Sequence, residues 1–298
     1  MVDSYVKIES NRLKYLREYL SDLHVARYQG LADYLNNRAD MSEFTIGNVY
    51  ILLSSFIGSP RAMKQAYQDA MCICGKFGKP TYFITMTCKP KWKEIIDNLL
   101  PGQTASDRPD LVGRVFQLKL KELIEDIQKR QVLGVVVARI HVIEFQHGLR
   151  HCHMLLWVSP EDVPKTPEAM DVTISAEIPD KETEPRLHSI VMSNTIHGPC
   201  GKYINKDSPC MNGDVCTKSF PKDFVAPTDI NTNGYPIYRR KNTGSTVTLK
   251  RGNKEYQVDN RWTVPYNRYL LLKFDCHINV EFCASITSVK YIFKYVHT

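Results

Sequence analysis

His151 and His153 flank Cys152 in the run EFQHGLRHCHMLLW, Glu144 to Trp157. Residues two apart on a strand project to the same side, so this spacing puts two imidazoles on one face. Near the other end of the chain, Tyr291 and Tyr295 stand four apart, a spacing that brings two phenols to one side of a helix. Imidazoles can hold a divalent cation and a phenolate can attack phosphorus. The two pairs together suit cleavage of a phosphodiester.

A cation site needs more than two nitrogens. On the preceding stretch Glu144 and Gln146 share one face, and a turn at His147 to Arg150 would carry that face beside the histidines. Two imidazoles and one oxygen donor leave coordination positions for phosphate oxygens and water. Such mixed ligation suits manganese or magnesium and does not exclude zinc. Glu144 is the first choice for third donor because its charge offsets the cation, with Gln146 as the alternative. Cys152 should face the other way as a core filler, His141 has the parity of neither donor, and His147 lies in the turn.

A helix expected from about Ala284 would carry Ile286, Val289, Phe293 and Val296 as its apolar stripe, with Tyr291 and Tyr295 off that stripe. A phenol of pKa ~10 is mostly protonated at neutral pH and needs a cation nearby to act as a nucleophile. Lys290 and Lys294 flank the pair and could stabilise a phenolate. Attack on phosphorus would release a 3′-hydroxyl and leave a 5′-phosphotyrosine.

Two further groups have chemistry to offer. His197, Cys200, Cys210 and Cys216, in HGPCGKYINKDSPCMNGDVC, could close a tetrahedral structural zinc site in a segment otherwise poor in apolar residues. Free buried thiols are the alternative. Arg239, Arg240, Lys241, Lys250, Arg251 and Lys254 cluster with Tyr235, Tyr238 and Tyr256, offering charge to phosphates and ring faces to bases. An exposed hairpin with solvated charges would look the same.

The elements that must position these groups can be traced. At 298 residues, 43% hydrophobic and 24% charged, the chain can bury a full core. No apolar run approaches the roughly 18 residues of a membrane span, so no membrane partner is expected. The N-terminal stretch MVDSYVKIESNRLKYLREYL lacks the apolar core of a secretory signal, so the nine cysteines read as thiols or metal ligands of a reducing compartment. The net charge of +7 permits nucleic acid without requiring it.

Leu13, Leu16, Leu20, Leu23 and Leu31 have helical spacing, and Ser59 before Pro60 caps a second helix that Gly75 should stop. Thr81 to Cys88 reads as a strand, with a short helix around Trp92 and Ile95 after it. A long helix follows Pro109, its apolar positions Leu111, Val115, Leu118, Ile124 and Ile127. Gly134 precedes a strand that turns at His147 and Gly148 and returns as HCHMLLWV. Ser159 to Asp180 reads as a surface connection, Glu182 to Ile196 as a helix, and Tyr269 to Phe282 as a strand. The expected fold is α+β: a central antiparallel sheet with flanking helices, an N-terminal helical accessory region at 1–75, and a sheet domain at 76–298 with a Cys-containing loop insertion at about 195–221.

The segments SFIGSPRAMKQAYQDAM, FITMTCKPKW, IEFQHGLRHCHMLLW, IHGPCG, SPCMNGDVC, SFPKDF, GYPIYRR, VPYNRYLLLKF, CHINVEFC and VKYIFKYVH resemble, in order, the Rep domain of Helitron transposases within the HUH endonuclease superfamily. The resemblance implies that His151 and His153 are the paired metal ligands and that Tyr291 and Tyr295 are the nucleophiles. It also implies a central antiparallel sheet with helices packed on it. Members nick one strand of DNA and move it by a rolling-circle-like mechanism, usually with a helicase fused downstream. Single-stranded DNA at transposon ends would be the partner, and the nucleus the compartment. Thr85 and Thr87 would line the sheet beside the site.

Three departures stand out. The turn between Gln146 and His151 is one residue shorter than the family pattern, Cys152 fills a position usually small or apolar, and no G-x-x-x-x-G-K-[ST] phosphate loop occurs. The last departure, with an end three residues after Tyr295, points to a fragment. The competing readings are a plasmid or viral replication initiator with the same chemistry, and a catalytically silent, zinc-stabilised module that binds single-stranded DNA.

Overall fold

The computed structural model describes residues 2–19, 59–146, 149–201, 204–206, 208–230 and 235–283. The chain divides into two compact units, Met1–Ala70 and Met71–Thr298. Helix α1 (Val2–Glu18) contains Leu13 and Leu16 of the expected N-terminal pattern, and Leu20, Leu23 and Leu31 lie outside the described residues. Helix α2 (Pro60–Phe77) starts as its sequence suggests, with the Ser59 hydroxyl accepting from the Ala62 N–H at 3.1 Å. It runs past Gly75. The stop is Gly78, whose φ of +75° only glycine adopts at little cost, and whose N–H still reaches the Cys74 carbonyl.

The rest is built on one sheet. Strand β1 (Tyr82–Thr87) is followed by helices α3 (Lys93–Ile96) and α4 (Pro109–Gln128), then by the hairpin of β2 (Val136–Gln146) and β3 (Leu149–Val158). Helices α5 (Pro167–Thr173) and α6 (Pro185–Asn194) come next. Two-residue strands β4 (Met211–Asn212), β5 (Val215–Cys216), β6 (Asp229–Ile230) and β7 (Pro236–Ile237) precede a hairpin of β8 (Val247–Arg251) and β9 (Lys254–Val258). Helix α7 (Arg268–Phe274) and strand β10 (Ile278–Phe282) complete the described part. The sheet order is β10, β1, β3, β2, antiparallel throughout, which is the expected α+β architecture.

Alternation along the strands makes the two faces of the sheet different. Tyr82, Ile84, Met86, Cys152, Met154, Leu156, Ile278 and Val280 are buried and join one core cluster with Phe116, Leu120, Leu123 and Ile127 of α4 and Leu270, Leu271 and Phe274 of α7. Burying each large side chain here contributes about 1.5–3 kcal/mol. The apolar stripe of α4 is rotated from the expected one: Val112, Val115, Phe116, Leu120, Leu123 and Ile127 face the core, and Leu118 is exposed.

Two other expectations are corrected. Tyr269 to Phe282 is not one strand, because Asn267 caps a helix by accepting from the Leu270 N–H, and Asp275 ends it in the left-handed conformation before β10 begins. Ser159 to Asp180 is more than a surface connection: Thr166 caps α5, and Ile174 and Ala176 are buried. Asp126 ties α4 to α7. It is fully buried and accepts from Lys273 Nζ at 2.8 Å and from the Tyr269 hydroxyl at 3.3 Å, with Arg130 closing the group.

Candidate metal centre

The second face of the sheet holds the histidines. On β3, His151 stands opposite Glu144 of β2 and opposite Thr87 of β1, while His153 stands opposite Val142 and Thr85. Residues directly across an antiparallel pair project together, so one face presents His151, His153, Glu144, Thr85 and Thr87. Cys152 is buried on the other face beside Met86, as its parity requires. His141 also lies on that other face, opposite Met154, where burial and the neighbouring Arg139 hold its pKa down.

The five side chains interlock. Thr85 Oγ1 is 3.1 Å from His153 Nδ1, and Thr87 Oγ1 is 3.0 Å from His151 Nδ1. The Nε2 of His153 lies 3.0 Å from Glu144 Oε2, with both side chains close to nine-tenths buried. The two imidazole planes are nearly parallel, 12° apart, with centroids 6.4 Å from one another, and Phe83 stacks on His153. Burial pushes the His153 imidazole below its ordinary pKa, while the hydrogen bond and charge of Glu144 pull the other way. Against the Glu144 carboxylate the His153 ring donates from Nε2 and accepts from the Thr85 hydroxyl at Nδ1; in the opposite tautomer Nδ1–H donates to the hydroxyl and Nε2 is left to bind a cation, the arrangement a metal-ligating histidine uses. Two such rings and a carboxylate make a donor set that fits a divalent ion.

Gln146 pairs with Leu149 through the backbone, but its side chain, together with Tyr291, Tyr295 and Lys294, lies outside the described residues. Two residues of the same face were not singled out from sequence. Asn279 stands opposite Thr85 and Glu281 opposite Phe83, and Asn279 Nδ2 donates to Glu281 Oε1 at 3.1 Å. The side-chain amide oxygen of Asn279, Oδ1, is buried with no hydrogen-bond partner among the described residues. The alternation of INVEF carries the signal, since Asn279 and Glu281 are the polar positions between Ile278, Val280 and Phe282.

The basic segment divides into two kinds of residue. Tyr238 and Arg240 are buried: the Tyr238 hydroxyl accepts from the Phe282 N–H at 2.7 Å, and Arg240 donates to the carbonyls of Tyr238 and Thr263. Arg240 is buried enough that its pKa falls to about 10. Through its hydroxyl Tyr238 braces the end of β10. Arg239 is committed to Asp171 and Glu177 at 3.0 and 3.2 Å. Lys241 and Arg251 are exposed, as is Lys250 beside Glu255.

His197, Cys200, Cys210 and Cys216 converge, their ligand atoms all within 4.8 Å of one another, and the cluster can hold a metal ion. Burial, with Lys222 and Lys218 nearby, depresses the His197 pKa to about 4, so the ring is neutral at pH 7. Phe220 stacks on that ring at 4.2 Å. Among the described residues no helix is long and apolar enough to cross a membrane. No curated protein matches the chain. The family described as the Helitron helicase-like domain at the N-terminus matches residues 1–156, which covers the β2–β3 hairpin as far as Leu156. Matched over more than half its length, and carrying the paired histidines inside the matched region, the chain belongs to this Helitron-like N-terminal domain family.

Proposed function

We propose that the chain is a metal-dependent, two-tyrosine endonuclease and strand transferase that acts on single-stranded DNA, as in Helitron rolling-circle transposition. The observation that carries this reading is the convergence of His151, His153 and Glu144 on one sheet face, with Thr87 and Thr85 at the Nδ1 atoms. A manganese or magnesium ion held by His151, His153 and either Glu144 or Gln146 would supply positive charge to the non-bridging oxygens of the scissile phosphate. The chain supplies the rest. The phenol oxygen of Tyr291 or Tyr295 forms a bond to phosphorus, the bond from phosphorus to the 3′-oxygen breaks, and the phenol proton ends on that 3′-oxygen. Lys294, adjacent to Tyr295 in sequence, stabilises the phenolate. The phosphotyrosine ester conserves the energy of the broken bond, so a 3′-hydroxyl reverses the step without ATP, and a second tyrosine allows a second strand to be held.

The substrate is read as single-stranded DNA at transposon ends, which places the protein in the nucleus, and the helicase of such transposases acts with this domain. Lys241, Lys250 and Arg251 are the residues of the basic segment whose exposure supports contact with phosphates. The test is incubation with labelled single-stranded DNA and Mn²⁺, followed by a denaturing gel. A covalent adduct is expected, lost in Tyr291→Phe/Tyr295→Phe and in His151→Ala/His153→Ala. Adducts that persist in the double Phe variant would remove the tyrosines from the reaction.

A further inference from the structure

The nuclease reading leaves the Cys-bearing insertion without a role. Its hairpin of β4 and β5 is paired over two residues a side, Met211 with Cys216 and Asn212 with Val215. A ribbon that short is not stable alone in water. Its apolar burial is small, since Cys216 reaches the core and Met211 packs partly against it while Asn212 and Val215 are exposed. What the hairpin does have is Cys210 immediately before β4 and Cys216 within β5, facing His197 and Cys200 from the turn that follows α6.

We infer that His197 Nε2 and the sulfurs of Cys200, Cys210 and Cys216 form a structural zinc site that fastens this hairpin to the end of α6. The two separations from His197 to sulfur match the ion. Zn–S and Zn–N lengths of about 2.3 and 2.0–2.1 Å in a tetrahedron place nitrogen and sulfur about 3.5 Å apart and sulfurs about 3.8 Å apart. His197 Nε2 lies 3.5 Å from Cys216 Sγ and 3.6 Å from Cys200 Sγ. Four protein donors fill the tetrahedron and leave no position for substrate, which makes the site structural and separates it from the three-donor centre on the sheet.

The surroundings suit thiolates. Binding Zn²⁺ releases three thiol protons to solvent and leaves a complex of charge −1. The Lys218 N–H points at Cys216 Sγ at 3.4 Å, and the Ser208 hydroxyl lies 3.2 Å from Cys210 Sγ, so two sulfurs have polar hydrogens within reach. Lys222 Nζ sits over the Phe220 ring that stacks on His197, so a cation is close to the net negative complex. The fastening extends inward. The His197 N–H donates to the Trp262 carbonyl and the Val264 N–H to Thr195, and the Val280 N–H of β10 donates to Pro265. The site therefore anchors the stretch against which the β10 edge is laid.

The test is metal analysis of the whole chain purified under reducing conditions without chelator or added metal. One zinc per chain is expected, retained in His151→Ala/His153→Ala and lost in Cys210→Ser/Cys216→Ser. A variant that fails to fold would be ambiguous, so the wild-type chain is also loaded with Co²⁺ in place of zinc. The expected spectrum combines the red d–d bands of tetrahedral cobalt with thiolate-to-cobalt charge transfer in the near ultraviolet. Zinc near zero in the wild-type chain, zinc unchanged in the double Ser variant, or a cobalt spectrum without thiolate charge transfer would each overturn the assignment. DNA adduct formation is scored separately, so failure of the nuclease reading leaves this result standing.

Discussion

Replacing Thr85 with valine removes one hydroxyl and leaves the shape and β-branching of the side chain in place. The Oγ1 of Thr85 lies 3.1 Å from His153 Nδ1, and His153 in turn reaches Glu144 at 3.0 Å. Losing one partly buried hydrogen bond costs about 0.5–1.5 kcal/mol of stability. For a domain of this size that is a fall of roughly 1–6 °C in Tm, so the variant should fold. The larger effect is on the ring. Groups that orient a metal-ligating histidine are worth about 10–100-fold in metal affinity, or roughly 1.4–2.7 kcal/mol. The assay is Mn²⁺ titration by calorimetry, alongside adduct yield as a function of Mn²⁺ concentration. Thr85→Val should move both midpoints up by at least tenfold while high Mn²⁺ restores the yield, and Thr87→Val should act the same way through His151. If Thr85→Val binds Mn²⁺ within twofold of the parent while His151→Ala/His153→Ala abolishes binding, the hydroxyl does not orient the ligand and the reasoning fails.

Asp126→Ala removes the buried carboxylate shared by Lys273, Arg130 and the Tyr269 hydroxyl, while both partly exposed cations keep Glu122, so it should cost about 1.5–3 kcal/mol and lower Tm by roughly 3–12 °C in a thermal melt; a change under 2 °C would mean the group contributes nothing. Arg240→Ala should lower Tm through the lost carbonyl contacts. Lys250→Ala/Arg251→Ala should instead leave Tm alone and reduce the salt dependence of single-strand binding by roughly 0.7 per lost phosphate contact, and the reverse pattern would return Arg240 to the DNA surface. His277 donates through Nδ1 to the Asn194 carbonyl at 2.7 Å, and burial depresses its pKa. The unfolded chain then binds more protons than the folded one below the ordinary histidine pKa of ~6.5, so stability present above that pH is lost as pH falls. Urea midpoints that rise on acidification from pH 7 to 5.5 would contradict this.

The hairpin of β2 and β3 was legible because two alternating runs stand within a few residues of each other in sequence. The parity that sets His151, His153 and Glu144 on one face, and Cys152 on the other, is the same local fact. The thiol cluster could be read as four candidate ligands, but its convergence depends on how the turn after α6 meets the β4–β5 hairpin, which spacing alone does not determine. Elsewhere local pattern was overruled. YLLLKF looks like a strand because nothing in its composition interrupts it, and only the cap at Asn267 and the left-handed Asp275 make it a helix. Tyr238 and Arg240 have the residue types of a DNA-contact surface, and their burial cannot be seen in residue type. Asn279 and Glu281 needed the register of a strand nearly two hundred residues from its partner.

That register also orders events in time. Everything that holds the histidines, from Thr85 and Thr87 to Glu144, has been synthesised once β3 ends at Val158, whereas Tyr82 must wait for Phe282, two hundred residues later, before the sheet gains its other edge. Closing so long a loop is entropically expensive and slow compared with forming the hairpin. A chain emerging from the ribosome therefore has Thr85, Thr87, Glu144, His151 and His153 available on three strands well before β10 arrives, so the candidate cation site can form before the sheet is complete.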